Sequence, residues 1–344
     1  MNALTGPQLR SIREEMHLDQ HQFADHLNSS LGRGYDNKRI SRWETGAERV
    51  PKKVAAFLNE ATPIRLDRPV SHPRKAVVIA IANQKGGVGK TATAVNLAYL
   101  LANAGWATLL IDNDPQANAT AHMGINAFFY DDTGQTLYAA LRRNVGLSDL
   151  AVEIPNVPDL KIVPASIRLA EAEVELQAEP HGDLVLREKI DEIRSDYDFI
   201  IIDCTPNLGK LSINALSAAN AVLIPCQTES LALRGVGFLF STIEKIRRRA
   251  NPELEINGII PTLFDRRNSQ DRDTLAEMQS LYGKKVTIYE PIPRATVYAQ
   301  AAAAGCPALQ ADPQVAGAKT FDEIARSFIN TVTATLEVAD GTAK

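Results

Sequence analysis

The sequence is poor in cysteine and contains no long apolar run. Its 344 residues hold three cysteines, Cys204, Cys226 and Cys306. An odd number at wide spacing supplies no framework of paired bridges, so the three read as reduced, mostly buried thiols. No basic N-terminal segment leads into a long apolar stretch, and the longest apolar runs are strand-sized. Neither a signal peptide nor a membrane span is supported, which makes the cytosol the expected compartment. Internal repeats are absent as well. With 45% hydrophobic and 23% charged residues, the composition fits a globular chain and argues against long disorder.

The length suits one large domain and one small one. The net charge of -4 is unevenly spread: residues 1–75 hold 13 Lys/Arg against 9 Asp/Glu, giving +4 and leaving -8 on the remainder. The small N-terminal part is therefore the one suited to a polyanion. Residues 61–75, ATPIRLDRPVSHPRK, contain three prolines and little apolar periodicity, as expected of a linker. Before it, Leu9 and Ile12, then Phe23, Ala24 and Leu27, then Ile40 and Trp43, and finally Val54, Phe57 and Leu58 mark short amphipathic helices. After it, apolar runs at 76–82, 107–111, 160–163, 199–202, 221–224, 256–260 and 286–289 alternate with helical stretches. Strands apolar on both faces and separated by helices imply a mostly parallel sheet covered on both sides. The expected fold class is α/β: a doubly wound, mostly parallel sheet domain over 76–337, preceded by a small all-α domain over 1–60 and followed by a frayed tail at 338–344. Ligands of such sheets sit at the carboxyl ends of the strands.

One of those ends carries a phosphate loop. The run AVVIAIA leads through Asn83-Gln84 into Lys85-Gly86-Gly87-Val88-Gly89-Lys90-Thr91 and then into a helix-compatible stretch closed by Gly105. Glycines let backbone N–H groups turn toward phosphates, Lys90 brings charge to the β- and γ-phosphates, and Thr91 offers its hydroxyl to Mg²⁺. Two carboxylate-bearing strand ends follow. Asp114 lies in Asp112-Asn113-Asp114-Pro115-Gln116, and Asp203 closes the apolar run Phe199-Ile200-Ile201-Ile202. Both suit Mg²⁺ or an attacking water, while a helix cap before Pro115 is the plainer use of Asp114.

The loop NQKGGVGKT, with its second lysine, resembles the deviant Walker family of P-loop ATPases, which includes ParA-type partition proteins, MinD and the nitrogenase iron protein. The resemblance implies ATP and Mg²⁺ as cofactors and an ATP-dependent homodimer in which Lys85 reaches the partner's nucleotide; without it, Lys85 reads as a solvated loop lysine. It also implies that Asp114 positions the water, that Thr91, Asp114 and Asp203 serve the metal, and that intrinsic turnover is slow. Ala92 stands where the family carries a second hydroxyl, so its backbone N–H alone is left for phosphate. A lost hydroxyl contact is worth about 0.5–1.5 kcal/mol.

Within the family, no cysteine is placed for an iron–sulfur cluster, and the C-terminal FDEIARSFINTVTATLEVADGTAK lacks a basic membrane helix. The segments Pro225-Cys226-Gln227-Thr228-Glu229, Leu231-Ala232-Leu233-Arg234-Gly235 and Ile292-Pro293-Arg294 resemble the ParA pattern. By that resemblance Pro261-Thr262 and Pro293-Arg294 meet adenine, and Arg266 or Arg267 belongs to a non-specific DNA surface, whose other arginine position is Val297 here. LRSIREEMHLDQHQFADHL and RISRWETGAERVP resemble a Cro/repressor helix-turn-helix, with Gln20, Gln22, Lys38, Arg39, Ser41 and Arg42 facing DNA and Ile40 and Trp43 in the core. The connection NSSLGRGYD is about six residues longer than that motif's tight turn, and a helical dimerisation or adaptor domain is the alternative. The function implied is ATP-dependent DNA partition by a nucleoid-associated protein, with a ParB-like partner stimulating hydrolysis and with operator binding by the N-terminal domain. A nucleotide-tuned repressor and a ParA-like ATPase positioning another cytoplasmic cargo are the competing readings.

Overall fold

The computed structural model describes residues 6–15, 18–61 and 75–341. They fall into two compact units, one within 1–64 and one within 65–344. Most of the expected linker, residues 62–74, lies outside the described residues.

The first unit consists of α1 (Gly6–Glu15), α2 (Gln20–Leu31), α3 (Asn37–Glu44) and α4 (Lys52–Ala61). Leu9, Phe23, Leu27, Ile40, Trp43, Val54 and Leu58 close its core with no exposed surface. Asp19 starts α2 through a capping box in which its carboxylate accepts the His21 and Gln22 N–H groups and the Gln22 side chain accepts the Asp19 N–H. Asp36 caps α3 by accepting the Arg39 N–H. The stretch 28–36 is less of a loop than its composition suggests. Helix α2 runs on to Leu31 and stops at Gly32, whose φ of 61° is left-handed. Only residues 32–36 connect the helices, and Asn28 braces them by bonding both the N–H and the carbonyl of Tyr35, at 2.6 and 2.9 Å.

The second unit runs β1 (Val77–Ile81), α5 (Lys90–Asn103), β2 (Thr108–Asn113), α6 (Asn118–His122), α7 (Ala127–Asp132), α8 (Leu137–Arg143), α9 (Leu147–Leu150), β3 (Val152–Glu153) and β4 (Leu160–Val163). It continues with α10 (Leu169–Ala178), α11 (Val185–Asp191), β5 (Phe199–Cys204), α12 (Lys210–Ala218), β6 (Ala221–Gln227), α13 (Ser230–Arg249) and β7 (Glu255–Thr262). The last elements are α14 (Ser269–Tyr282), β8 (Thr287–Ile288), α15 (Thr296–Ala304), α16 (Ala308–Ala311) and α17 (Ala318–Gly341). Helix α17 thus continues into the stretch expected as a tail. Among the described residues no helix is long and apolar enough to cross a membrane.

The eight strands form one sheet in the order β3-β4-β2-β5-β1-β6-β7-β8. Every neighbouring pair is parallel except β3 with β4. Each of the seven expected runs contains a strand or, at 286–289, a short edge pairing. Strand β3 was not visible as an apolar run because its two residues are a partly exposed Val152 and an exposed Glu153. Side chains alternate between two cores: Val78, Ala80, Leu109, Ile111, Ile200 and Ile202 on one face, and Ile79, Ile81, Leu110, Phe199 and Ile201 on the other. Helix α5 packs on the second face, and with α17. Strands β2, β5, β6 and β7 extend past their apolar runs, through Asp112-Asn113, Asp203-Cys204, Gln227 and Thr262, and these ends carry the site.

Phe199 lies fully buried in β5 with its ring edge-on to Trp106, centroids 5.6 Å apart. Phe199→Ala is expected to cost about 3–5 kcal/mol, read as a lower urea midpoint for unfolding of this unit.

Candidate phosphate and metal site

The loop between β1 and α5 is pinned at both ends. Asn83 donates from Nδ2 to the Pro225 carbonyl of β6 at 2.6 Å and accepts the Lys85 N–H at 3.1 Å. Farther on, the Thr262 hydroxyl of β7 donates to the Val88 carbonyl at 2.8 Å. Gly87 and Gly89 have φ of 72° and 86°, a left-handed backbone that lets successive N–H groups face one concavity. The loop then delivers Lys90, Thr91 and Ala92 into the first turn of α5, where helix N–H groups remain free for an anion. Lys90 is 7% exposed, and its ammonium donates to the Lys85 carbonyl at 3.0 Å. Burial pulls its pKa down, opposed by the charges of Asp203, Cys204 and Asp114.

Asp203, the penultimate residue of β5, is in register with Ile81 of β1 on one side and Asp112 of β2 on the other. It has no exposed surface, and among the described residues neither carboxylate oxygen has a hydrogen-bond partner. Burial holds its carboxyl well above the usual carboxylate range, and the neighbouring Asp112 pushes the same way. The Thr91 hydroxyl and the Lys90 ammonium oppose them. A buried carboxylate without a donor is costly unless a cation completes it. No three His, Cys, Asp or Glu side chains among the described residues form a self-sufficient metal cluster. Mg²⁺ needs none, since it is commonly held by one or two carboxylates together with substrate phosphates and water. Asp203 with the Thr91 hydroxyl beside it fits that pattern.

Asp114 is 6% exposed and sits in a tight turn. Its carboxylate accepts the Gln116 N–H at 3.0 Å, and its carbonyl accepts the Ala117 N–H at 2.9 Å. Asp112 was not singled out from the sequence, although it is fully buried beside Asp203. Burial raises its pKa to about 6, against the lowering effect of the Thr120 hydrogen bonds. The available signal was the paired acids of Asp112-Asn113-Asp114 at the end of a strand buried on both faces.

The two loop lysines point to different places. Lys85 leaves the loop, and its ammonium donates to Gln227 Oε1 at 3.1 Å and to Glu229 Oε2 at 2.5 Å, with both ends of the ion pair solvent-exposed. Beyond Glu229, a cleft of about 450 Å³ is lined by Thr228, Leu263, Asn268 and Arg294 among others. Arg294 is held at it because the neighbouring Pro293 bridges to Phe264 and the Arg294 N–H donates to the Phe264 carbonyl at 3.3 Å. Nearby, Arg267 folds back on Asp265, Nε to Oδ1 3.3 Å, and the Arg266 carbonyl accepts from Arg272 at 2.9 Å. Val297 packs half-buried against the core and brings no charge there.

In the first unit, the candidate DNA-facing residues divide into two sets. Gln20 donates to Glu44, which also holds Arg13, at 2.8 and 2.6 Å. Gln22 closes the α2 capping box. Both are thus engaged by the fold. On α3, Arg39 lies over the Tyr35 and Trp43 rings, 5.9 and 5.8 Å from their centroids, and pairs with Glu48 at 3.0 Å. Lys38 and Arg42 are exposed, Ser41 is half-buried, and Ile40 and Trp43 are in the core.

The sequence profile of a family described as an AAA domain matches residues 76–256. The chain is 40% identical over 256 residues, 74% of its length and 94% of the relative's, to the chromosome partitioning protein ParA of Caulobacter vibrioides. The chain belongs to the ParA-type partition ATPases. Among solved structures it resembles a cobyrinic acid a,c-diamide synthase from Mycobacterium smegmatis with bound ATP analogue and magnesium, at 32% identity and TM-score 0.63, covering 74% of this chain and 94% of that one. A plasmid partition protein from Borrelia burgdorferi matches at 25% identity and TM-score 0.58, covering 75% of this chain and all of that one. Within the ParA-type framework, the departure at Ala92 leaves the first turn of α5 intact, since its carbonyl still accepts from Asn96 at 2.7 Å.

The unmet Asp203 charge makes a stability prediction. A carboxyl whose folded pKa is raised stabilises the fold below its unfolded pKa, and that stability is lost as pH rises through the folded value. Nucleotide-free protein is therefore expected to gain stability from Asp112 on acidification from about pH 6 toward 4, with Asp203 contributing in the same direction. Asp203→Asn should raise the Tm at pH 7.5 without nucleotide and abolish any further rise given by Mg²⁺ with ATP. A lower Tm for the variant without nucleotide would contradict the unpaired charge.

Proposed function

We propose that the chain is an ATP-dependent DNA partition protein, cytoplasmic and associated with the nucleoid, whose ATP-bound form is a homodimer. The observation that carries this reading is the divergence of the two lysines. Lys90 is turned inward toward Asp203, whereas Lys85 stands at the surface on Gln227 and Glu229. An inward lysine serves the chain's own phosphates, and a surface lysine from the same loop is free to serve a second copy's nucleotide. ATP would lie on Gly86, Gly87, Val88, Gly89, Lys90, Thr91 and the Ala92 N–H, with its base toward Pro293 and Arg294. Thr91, Asp203 and Asp114 would hold Mg²⁺, which supplies charge neutralisation at the phosphates when bound. Asp114 orients a water in line with the γ-phosphate, so that positioning and charge perform the hydrolysis without a covalent intermediate. Slow turnover then leaves room for a ParB-like partner to stimulate it.

DNA enters this reading twice. The dimer binds duplex non-specifically, with Arg266 and Arg267 as candidates, and residues 1–60 act as a helix-turn-helix domain that reads an operator. Support for the second comes from α3, which is capped, short and basic, with Lys38 and Arg42 exposed and Arg39 held by ring and carboxylate contacts. The relative named for chromosome partitioning supports the partition role, and the neighbour holding an ATP analogue with magnesium supports ATP and Mg²⁺ as the ligands.

Lys90→Ala is expected to weaken ATP binding by roughly tenfold or more, the loss of one charged hydrogen bond of about 1.5–3 kcal/mol. Lys85→Ala should keep ATP binding and lose ATP-dependent dimer formation and duplex coating. Sedimentation and DNA binding with ATP and with ADP decide this, and identical behaviour of both variants and the unsubstituted chain under both nucleotides would refute the switch.

Footprinting separates operator reading from coating. Arg42→Ala is expected to cost about 1–3 kcal/mol at a defined site while ATP-dependent coating persists. Loss of coating with no change at the site would refute the assignment.

A further inference from the structure

Between Asp112 and Thr120 the chain makes a loop that carries Asp114, and both ends of that loop are tied to one carboxylate. Asp112 Oδ2 accepts the Thr120 N–H and the Thr120 hydroxyl, each at 2.7 Å, while Oδ1 accepts the Asp114 N–H at 3.3 Å. The Thr120 oxygen in turn accepts the Ala165 N–H at 3.0 Å, from the segment leaving β4. Asp112 and Thr120 have no exposed surface. Inside the loop Ala117 is left-handed, with φ 52°, a conformation a residue with a Cβ adopts only when its surroundings enforce it.

We infer that Thr120 is a positioning residue for hydrolysis: its hydroxyl clasps the loop and thereby fixes where the Asp114 carboxylate stands. This rests on the reading of Asp114 as the residue that orients the water. The hydroxyl is suited to the task because one atom donates to Asp112 and accepts from Ala165, so the ends of β2 and β4 and the start of α6 are set against each other at a single point. Asp114 gains its reach from this frame, since among the described residues its side chain accepts the Gln116 N–H within the turn and no other hydrogen bond. Thr120 does not face the phosphate loop's own hydrogen bonds, which run to Pro225 and Thr262. Loosening the clasp should therefore leave nucleotide binding in place and misplace the water.

Thr120→Val keeps the side chain's shape and removes both hydroxyl bonds. In the full-length protein, turnover at saturating Mg²⁺ and ATP is expected to fall about tenfold or more, because small misplacement of a positioning group is costly in rate. KM for ATP and binding of a fluorescent ATP analogue should change by less than about twofold. Thr120→Ser, which restores the hydroxyl, should recover turnover to within about threefold of the unsubstituted protein. Melting curves with the stoichiometry of analogue binding fix the folded fraction, and if Thr120→Val lacks a melting transition the same split is read on Thr120→Ala. Unchanged turnover, a defect confined to KM, or no recovery in Thr120→Ser overturns the clasp. Asp114→Asn run in parallel separates the two layers: full activity there overturns the reading of Asp114, whereas loss there with Thr120→Val at full rate overturns Thr120 alone.

Discussion

The parallel register of β2, β5 and β1 is the constraint on which the site depends. Ile81, Asp203 and Asp112 stand side by side, so the phosphate loop begins at the height where two carboxylates are already buried. Parallel strands end together only if helices return the chain across the sheet, and α5 does this for β1 and β2 while forming the anion end of the site. The same element therefore closes the core and presents its first turn to phosphate. Displacing α5 would cost the fold its apolar layer of Val95, Leu97 and Leu101 and the site its N–H groups at once.

Without nucleotide, this arrangement is electrostatically incomplete. Asp114 and Asp203 act on one buried ammonium, Lys90, Asp112 stands beside Asp203, and neither Asp203 oxygen has a partner within hydrogen-bond geometry among the described residues, the Thr91 hydroxyl lying nearby. The Asp112 carboxylate is satisfied by Thr120 and Asp114, which leaves Asp203 as the group with unmet demand. A divalent cation arriving with phosphates would meet that demand, while the phosphates bring negative charge to Lys90 and the loop N–H groups. In the proposed reading cation and nucleotide enter together, so a separate cluster of protein ligands is not needed.

Much of this was legible in the sequence because the informative residues are local. The loop from Lys85 to Thr91 specifies its own backbone through glycine and its own charge through lysine, and the β-rich run before it and the helix after it supply the context. The apolar runs marked the sheet but stopped short of its functional ends: Asn113, Asp203, Gln227 and Thr262 pair as strand although polarity marks them as loop. Asp112 was overlooked for the same reason, since its role comes from standing beside Asp203, 91 positions away in sequence and adjacent only through register. Gln20 and Gln22, polar and at a helix start, have a second use that position alone does not reveal: Gln20 bonds Glu44 and Gln22 accepts the Asp19 N–H. Residues 28–36 read as a long loop because Asn, Ser and Gly dominate them, whereas α2 extends to Leu31 and the Asn28–Tyr35 bonds shorten the rest.

The resting place of Lys85 bears on how the proposed dimer switch is balanced. Its ion pair with Glu229 is short but solvent-exposed at both ends, and pairs of that kind contribute about 0–1 kcal/mol. Holding Lys85 at home is therefore a weak restraint. A triphosphate in a second copy's site, lying in a partly dehydrated interface, offers the same ammonium several negative oxygens at lower effective dielectric, where attraction is far greater than at a surface. The balance between the two positions then turns on the charge present in the partner's site. That charge differs between ATP and ADP, so in the proposed switch discrimination between nucleotides would arise from Lys85 without any rearrangement of the sheet, provided the loop that carries it stays pinned at Pro225 and Thr262.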